Sequence, residues 1–390
     1  MFSPQNKFMV MKVLIAPDKF KDALDAKQVC KAIAEGIHSF DNAINTVQFP
    51  MADGGNGTAA LLTWHTKGRM VNTEVVDPLG RPAKASYGLS GDQKTAYIEM
   101  ATASGIELLK IEERNPRKTH TKGTGMLIRH AINQGAKTII LGIGGSATND
   151  AGIGMAHELG YRFLNKDEEE VEPVGENLGI IKQVRKTEKT QQLRDIKVIV
   201  ACDVNNPLFG RNGAACVYAP QKGANEKDIA FLDEGLKNIG RVFEQFYSKD
   251  VSLEPGAGAA GGLGAGCTVF LNASLKPGIT LFMEATEFEE AMRGVDLIIT
   301  GEGKLDNQSL QGKVIDGICR KAQEKNIPVA ALCGSLNLNT EALKASRLIY
   351  AASILPGPKL LKEAIEETSP ALKMAASQLI SLYCAGKSSG

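Results

Sequence analysis

The chain has 390 residues, more than one ordinary domain of about 100–200 residues, so we expect two domains, one of which can be split in sequence. Lys and Arg number 45 against 44 Asp and Glu, and the net charge of +1 argues against a nucleic-acid or membrane-surface binder, because both need a basic excess. The seven cysteines form no C-x-x-C pair, which predicts reduced thiols in a cytoplasmic protein. No stretch has the ~18 uninterrupted apolar residues of a membrane helix, so we expect no membrane span.

The beginning of the chain predicts a strand followed by a helix. Residues 1–10 are interpreted as an extension, and the apolar run KVLIAP after them predicts a strand. DALDAKQVCKAIAEGIHSF has apolar residues at helical spacing, and Asp25 and Gln28 are spaced as a capping box.

The middle of the chain predicts a different arrangement. TEVVDPLGRPAKASYGLSG alternates apolar and polar residues around Pro and Gly turns, which is typical of antiparallel hairpins. The run KTII then leads through LGIGGSATNDAG into IGMAHELGYRF, which predicts a strand, a glycine loop and a helix. We predict that residues 73–285 form an inserted α/β domain with a mixed sheet.

The last third repeats the alternation seen at the beginning. VDLIITGEG, IPVAALCG and LIYAASIL are continuous apolar runs, which suit parallel strands covered on both faces, and helical stretches lie between and after them. We predict an α/β fold in which residues 11–72 and 286–384 form one discontinuous, Rossmann-like domain with a parallel sheet. Residues 385–390 are interpreted as a tail.

Two glycine clusters are candidates for anion binding. Gly142, Gly144 and Gly145 follow a predicted strand, and their backbone N–H groups could bind an anion, with a tight structural turn as the alternative. Gly142-x-Gly144-x-x-Ala147 also fits the looser dinucleotide fingerprint. The second cluster, PGAGAAGGLGAG, is either a flexible hinge or a loop that closes over phosphates.

Acidic and basic side chains recur near the carboxyl ends of the predicted strands, where α/β sheets bind ligands. Such carboxylates could hold Mg²⁺ or accept a proton from a hydroxyl, and the lysines could pair with phosphate or a substrate carboxylate. The alternatives are helix caps, turn residues and ordinary surface lysines. The residues of this group are Asp18, Asp53, Asp203, Glu302, Asp306, Lys19, Lys21, Lys304 and Lys313, with Arg81 as a weaker carboxylate clamp.

Several common catalytic motifs are absent from the sequence. There is no G-x-x-x-x-G-K-[ST] phosphate loop, no protein-kinase signature, no G-x-S-x-G elbow and no H-E-x-x-H zinc motif.

The ordered motifs resemble the bacterial glycerate kinases that phosphorylate D-glycerate. The matching stretches are APDKFKDALDA, MADGGNGT, DPLGRP, IEMATASGIELL, ERNPRKTHTKGTG, GIGGSATNDAG, DVNNPLFGRNGAACVYAPQKGA, GAGAAGGLG and ITGEGKLDNQSLQGK. The resemblance implies a two-domain enzyme with its active site in the cleft between the domains, ATP as donor, Mg²⁺ as helper and glycerate as acceptor.

The chain departs from the family pattern at a few positions. Asn56 stands where the family usually has Glu, so we assign it no role. Asp22 and Ala23 replace a Gly-Ser pair, Ala151 replaces a glycine, and the residues after Lys313 lack a common proline.

If the chain is a kinase, as the resemblance implies, each candidate residue can be given a role. Phosphoryl transfer needs positioned reactants and groups that stabilise the charge of the phosphate. We predict Asp203 as the base, Lys19 as a further catalytic residue, and Asp53 and Asp306 as Mg²⁺ ligands. The predicted phosphate-binding residues are Gly142, Gly144, Gly145, Gly258, Gly261, Gly262 and Lys313. The predicted substrate-binding residues are Lys21, Arg81, Ser146, Thr148, Asn149 and Asp150.

The expected product is 2-phosphoglycerate rather than 3-phosphoglycerate. The alternatives are a nicotinamide-dependent oxidoreductase of a small hydroxy acid, suggested by the glycine fingerprints, and a non-catalytic sensor of a nucleotide or sugar acid. We expect small-molecule partners, no nucleic acid and no membrane, and the sequence allows a homo-oligomer.

Overall fold

A computed structural model describes residues 11–388 of the chain. The predicted extension, residues 1–10, lies outside the described residues. Within the described range, no helix has the length and apolar character that crossing a bilayer requires.

The strands are short and belong to three sheets. In chain order they are β1 Lys12–Ile15, β2 Asn45–Gln48, β3 Arg69–Val76, β4 Pro82–Leu89, β5 Thr95–Glu99, β6 Thr138–Gly142, β7 Tyr161–Leu164, β8 Gln183–Lys186, β9 Lys197–Ala201, β10 Ser274–Lys276, β11 Leu297–Leu305, β12 Val329–Leu336 and β13 Tyr350–Ser353.

Helices separate most of the strands. The α-helices are α1 Ala26–Phe40, α2 Thr58–His65, α3 Ala101–Ser104, α4 Lys122–Asn133, α5 Ile153–Glu158, α6 Ala214–Tyr218, α7 Glu226–Tyr247, α8 Ala259–Leu271, α9 Gly278–Ala285, α10 Phe288–Ala291, α11 Val314–Glu324, α12 Thr340–Ala345, α13 Leu361–Glu366 and α14 Thr368–Ser388. Short 3₁₀ turns cover Ile106–Leu108, Ile111–Glu113, Gly175–Asn177, Glu188–Leu193 and Pro220–Lys222.

The chain divides into two compact units. One unit contains residues 11–53 and 282–388, and its five strands form a parallel sheet in the order β13-β12-β11-β1-β2. The other contains residues 54–281 and has a six-stranded sheet in the order β10-β9-β6-β5-β4-β3. In that sheet β3, β4 and β5 pair antiparallel and the remaining strands pair parallel. The predicted α/β fold, with a parallel-sheet domain from both chain ends and an inserted mixed-sheet domain, is confirmed.

The boundaries of the two units differ from the predicted ones. The structure divides the chain before residues 54 and 282, whereas the sequence analysis placed the inserted domain at 73–285. The reason is that β3 pairs with β4 along its whole length, and α2 packs against β4 and β5 of the same sheet. The predicted tail also differs, because α14 continues to Ser388.

The packing of α1 against α14 joins the two chain ends in their unit. The capping box at the start of α1 forms as predicted, with the Gln28 N–H donating to Asp25 Oδ1 at 2.8 Å and the Asp25 N–H to Gln28 Oε1 at 2.9 Å. Ile33 of α1 and Leu372 of α14 are buried in the same apolar cluster. The helices approach so closely that a Cβ on Gly36 would lie 2.3 Å from the carbonyl oxygen of Lys373.

We expect Leu372→Ala to lower the free energy of unfolding by about 2–5 kcal/mol, because it opens a cavity between α1 and α14. Leu382→Ala is the matched control on the same helix, since Leu382 is 62 % exposed and Leu372 is fully buried. Urea unfolding followed by circular dichroism measures both variants. Equal losses for the two substitutions would contradict the packing described here.

Candidate active site

The loop after β6 exposes its first glycines. Gly144 and Gly145 are exposed, and a Cβ on Gly144 would have no atom within 4 Å. Gly145 has φ of 72°, a left-handed conformation that favours glycine. The carbonyls of Gly142 and Gly145 accept hydrogen bonds from Met100 and Ile106, both at 2.9 Å, which hold this backbone in place. The geometry leaves room for a phosphate at Gly144 and Gly145, whose binding role stays a prediction.

The second half of the same loop is buried. The Asp150 carboxylate accepts four hydrogen bonds, from the N–H and hydroxyl of Thr121 at 2.8 Å each and from the N–H groups of Gly152 and Gly154 at 3.2 Å each. Asp150 is fully buried and its carboxylate is occupied by protein donors, which does not favour a contact with the substrate, and its predicted binding role stays a prediction. The negative charge at the start of α5 is therefore the carboxylate of Asp150, which belongs to the loop itself.

The dinucleotide fingerprint is also ruled out by this geometry. A fingerprint helix starts at the glycines, so that its N–H groups face the pyrophosphate. Here α5 begins only at Ile153, and Asp150 already accepts hydrogen bonds from the N–H groups at its start.

Ser146, Thr148 and Asn149 are buried as well. The Ser146 hydroxyl and the Thr148 carbonyl accept hydrogen bonds from Lys222. Thr148 Oγ1 and both amide atoms of Asn149 have no hydrogen-bond partner among the described residues. Their predicted role in substrate binding stays a prediction.

The second glycine cluster packs against the protein itself. A Cβ would lie 2.1 Å from the Pro207 carbonyl oxygen at Gly258, 2.1 Å from the Thr148 carbonyl oxygen at Gly261, and 2.9 Å from the Cα of Ala151 at Gly262. These three glycines are buried by neighbouring backbone, which does not favour contact with ATP phosphates, and their predicted role stays a prediction.

The segment instead forms a kinked start of α8. Ala260, Gly261 and Gly262 have φ of 53°, 71° and 90°, so regular helix begins after them. The Gly261 carbonyl accepts a hydrogen bond from the Ala151 N–H at 3.0 Å. The two glycine segments therefore contact each other directly.

Asp203 lies beside other candidate residues of the 54–281 unit. It follows β9, and its Oδ1 accepts a hydrogen bond from the Gly278 N–H at 2.8 Å. A Cβ on Gly54 would lie 3.8 Å from Asp203 Oδ2, and one on Gly142 would lie 3.2 Å from the Gly54 carbonyl oxygen. Asn56 belongs to the same neighbourhood, since its Oδ1 is 3.9 Å from the Cβ position of Gly145. The structure thus brings together the carboxyl ends of β6 and β9 and the loop before α2.

The unit formed by residues 11–53 and 282–388 has its own group of charged residues. Burial and the negative charge of Asp53 raise the pKa of Asp18 to about 7, and Glu302 adds to this effect. Burial also raises the pKa of Glu302 to about 7, while a hydrogen bond with Ser309 and the charge of Lys313 oppose the rise. Asp18, Asp53, Glu302 and Lys313 are therefore near enough to influence one another electrostatically.

The predicted lysines lie close to this group. Lys19 is exposed, its backbone N–H donates to Asp18 Oδ1 at 2.7 Å, and its charge lowers the pKa of Asp18. The exposed Lys21 has its backbone nitrogen 3.3 Å from the Cβ position of Gly303 in β11. Lys313 is the residue before the first turn of α11. All three lysines follow or flank strand ends, as predicted, and their roles stay predictions.

Two predicted residues already have charged partners. Arg81 donates to Asp77 at 2.6 Å and to Glu113 at 2.7 Å, so a substrate carboxylate would have to displace one of these acids. Asp306 Oδ2 lies 3.0 Å from Lys304 Nζ, which lowers the pKa of Asp306. Neither arrangement favours the predicted role in ligand binding.

The described residues contain no group of three or more His, Cys, Asp and Glu side chains arranged to hold a metal ion. Mg²⁺, however, usually binds through one or two carboxylates together with substrate phosphates. Glu302 Oε1 is buried without a hydrogen-bond partner among the described residues, as expected for a carboxylate oxygen that can coordinate a cation.

The comparisons with known proteins decide the family. The model of the glycerate kinase family matches residues 13–384. The chain belongs to the glycerate kinase family. The resemblance inferred from the motifs is confirmed, and the chain is an enzyme of the kinase class. The oxidoreductase and the sensor are therefore set aside.

Individual relatives agree over nearly their whole lengths. A glycerate kinase of Bacillus cereus is 43% identical over 96% of this chain and 98% of its own. A glycerate 2-kinase of Escherichia coli K12 is 42% identical over 91% of this chain and 93% of its own. A crystal structure from Salmonella typhimurium LT2, described as a glycerate kinase 2, has a TM-score of 0.89 and 38% identity, and covers 97% of this chain and 100% of its own.

Sequence reasoning missed two residues of the candidate site and left a third without a final role. Lys222 lies in the matched stretch APQKGA, but a lysine beside a turn gives no sign of burial. Asn56 was passed over because it departs from the family pattern. Glu302 was noticed as an acid near a strand end, and it differs from Asp306 in that its Oε1 is buried without a hydrogen-bond partner among the described residues, whereas Asp306 pairs with Lys304.

Glu302→Gln should alter how stability depends on pH. The carboxyl group titrates at about 7 in the folded chain and near 4.5 when exposed, so the folded state binds more protons between these values. Its ionisation therefore lowers the free energy of unfolding as the pH rises through this range. We expect the variant to gain stability relative to the parent chain at about pH 8, and to gain less at about pH 5.

Urea unfolding in metal-free buffer at both pH values measures this difference. Glu366→Gln is the control, since Glu366 is exposed in α13 of the same unit. A gain from Glu302→Gln that is equal at both pH values would contradict the raised pKa.

Proposed function

We propose that this enzyme transfers the γ-phosphoryl group of ATP to the 2-hydroxyl of D-glycerate, in the cleft between its two domains that the family resemblance implies. The observation that carries the proposal is the open backbone of Gly144 and Gly145 in the same neighbourhood as Asp203. The choice of the 2-hydroxyl is supported by the relative from Escherichia coli, which is named a glycerate 2-kinase. A cytoplasmic location and a homo-oligomeric state stay predictions.

The ATP phosphates bind the backbone N–H groups around Gly144 and Gly145 in this proposal. Exposed glycines allow close approach of an anion to the backbone, and fixed N–H groups need no reorganisation as charge develops. Lys313 and Lys19 supply positive charge in the other unit, beside three carboxylates that would otherwise repel a phosphate. Lys21 is proposed for the glycerate carboxylate.

We assign the metal-binding role to Asp53 together with Glu302. Glu302 replaces Asp306 of the sequence prediction, because Asp306 is paired with Lys304 whereas Glu302 Oε1 has no hydrogen-bond partner among residues 11–388. When bound, Mg²⁺ neutralises charge on the phosphate oxygens. These carboxylates would be ionised in the loaded enzyme, since a nearby cation favours their charged form.

Asp203 is the proposed base. Its Oδ1 is held by the Gly278 N–H, which orients the carboxylate. As the bond between the glycerate oxygen and the γ-phosphorus forms, the bond to the ADP oxygen breaks and the hydroxyl proton passes to Asp203. A positioned base of this kind contributes about 10²–10⁴-fold to the rate.

Asp203→Asn should lower kcat by at least about 100-fold, because an amide cannot accept the hydroxyl proton. The amide oxygen can still accept the hydrogen bond from Gly278, so the fold and ATP binding are expected to persist. Steady-state kinetics and calorimetric ATP titration measure the two effects. Asp167→Asn, in an exposed turn, is the control for removing one carboxylate. A drop in kcat below about tenfold would remove Asp203 from this role.

The product distinguishes the two hydroxyl acceptors. In 2-phosphoglycerate the phosphate is attached to a carbon with one hydrogen, and in 3-phosphoglycerate to a carbon with two. Proton-coupled phosphorus NMR of the reaction mixture should therefore show a doublet, and a triplet would identify the 3-hydroxyl as the acceptor. L-glycerate in place of D-glycerate tests the proposed stereochemistry in the same assay.

A further inference from the structure

Lys222 is a buried lysine whose ammonium group contacts the loop after β6. It ends the 3₁₀ turn Pro220–Lys222 and is 2 % exposed. Its Nζ donates hydrogen bonds to the Ser146 hydroxyl at 2.7 Å and to the Thr148 carbonyl at 2.6 Å. The side chain therefore reaches from a distant part of the sequence to the two residues that follow the exposed glycines.

Placing a lysine there is energetically costly. Lysine is almost never fully buried unless it is paired, because its charged form loses hydration. Burial lowers the pKa of Lys222 to about 7, and only the negative charge of Asp150 opposes this effect. His120 also interacts electrostatically with Asp150, and the Arg114 carbonyl oxygen lies 2.3 Å from the Cβ position of Gly223. A methionine would fill the same space without this cost, so the two hydrogen bonds are the specific contribution of the lysine.

Other elements hold the same loop residues. The Ala147 N–H donates to the Ser104 carbonyl, and the Ala147 carbonyl accepts from the Thr119 hydroxyl, both at 2.9 Å. The carbonyl oxygen of Thr148 also lies 2.1 Å from the Cβ position of Gly261. Residues 146–148 are thus fixed by contacts from several directions. Among these contacts, the Lys222 ammonium group joins residues 146 and 148 to each other.

We propose that Lys222 is a positioning residue that sets the conformation of Gly144 and Gly145 for the ATP phosphates by holding Ser146 and Thr148. Lys222 does not itself touch ATP, since it is buried behind the loop. The inference rests on the proposed phosphate role of Gly144 and Gly145. Small displacements of such a loop matter, because a misplacement of about 1 Å can cost 10²-fold in rate.

Lys222→Met should lower kcat/KM for ATP by about tenfold or more while the enzyme remains folded. We expect the KM for glycerate to change much less, because the loop residues that face solvent are those assigned to phosphate. Lys227→Met is the matched control: Lys227 is exposed in the first turn of α7, and its removal takes away the same charge. Kinetics are measured well below the melting temperature of each variant, with folding checked by circular dichroism.

A double-mutant cycle tests whether Lys222 acts through Ser146. Ser146→Ala removes one acceptor of the ammonium group and is expected to lower kcat/KM for ATP in the same direction, by a smaller factor. If the two residues act as one unit, the double variant falls no further than Lys222→Met alone. Losses that multiply would show independent effects and would overturn the proposal.

A purely structural role has a different signature. If Lys222→Met lowers the melting temperature but the folded enzyme keeps the parent kcat/KM for ATP, the proposal is wrong. If Lys222→Met does not fold, Ser146→Ala alone decides, and an unchanged kcat/KM for ATP in that variant overturns the proposal.

Gly144→Ala tests the proposed phosphate site independently of the role of Lys222. A Cβ at Gly144 meets no protein atom within 4 Å, so the variant should fold, but the methyl group would occupy space assigned to phosphate. If Gly144→Ala leaves the KM for ATP unchanged, the proposed phosphate site fails. If Gly144→Ala weakens ATP use and the Lys222 and Ser146 variants do not, only the role of Lys222 fails.

Discussion

The buried carboxylate of Asp150 is the interaction on which the 54–281 unit depends. Thr121 precedes the first residue of α4 and Gly152 precedes that of α5, so Asp150 accepts hydrogen bonds at the starts of two helices. The first N–H groups of a helix lack partners within it, and burying them unpaired would cost free energy. One carboxylate accepts the N–H of Thr121 just before α4 and those of Gly152 and Gly154 at the start of α5, and thereby helps to fix where the loop after β6 turns inward.

The rest of the loop follows from that constraint. With Asp150 inside, Ala151 and Gly152 lie against the start of α8, where only glycines allow such close approach. The glycines at 258, 261 and 262 are therefore explained by packing of the chain on itself. On the other side of Asp150, residues 146–148 are held inside, and Gly144 and Gly145 remain open to solvent.

The unit built from both chain ends depends on a different constraint. Strands β1 and β11 are parallel neighbours, so Asp18, which follows β1, and Glu302, in the carboxyl-terminal half of β11, share one neighbourhood. Burial raises the pKa values of Asp18 and Glu302, the negative charge of Asp53 adds to the rise at both, and Lys313 provides compensating charge beside Glu302. An arrangement of this kind suits a site that receives a cation and phosphates together. The contact of α1 with α14 closes the unit, because it brings the first and last helices into one core.

The sequence alone determined the α/β class, the split parallel-sheet domain, the capping box of α1 and the family, because apolar periodicity, short-range spacing and ordered motifs are local properties of the chain. It also proposed Asp203, Gly142, Gly144 and Gly145 for the site, and their roles stay predictions. It could not show that Gly258, Gly261 and Gly262 pack against neighbouring backbone, since glycines that face a ligand and glycines that face the backbone have the same sequence signature. Tertiary structure alone decided that Asp150 is inside, that Asp306 pairs with Lys304 while Glu302 does not, and that Lys222 is buried, because burial and long-range partners depend on contacts between residues far apart in the chain.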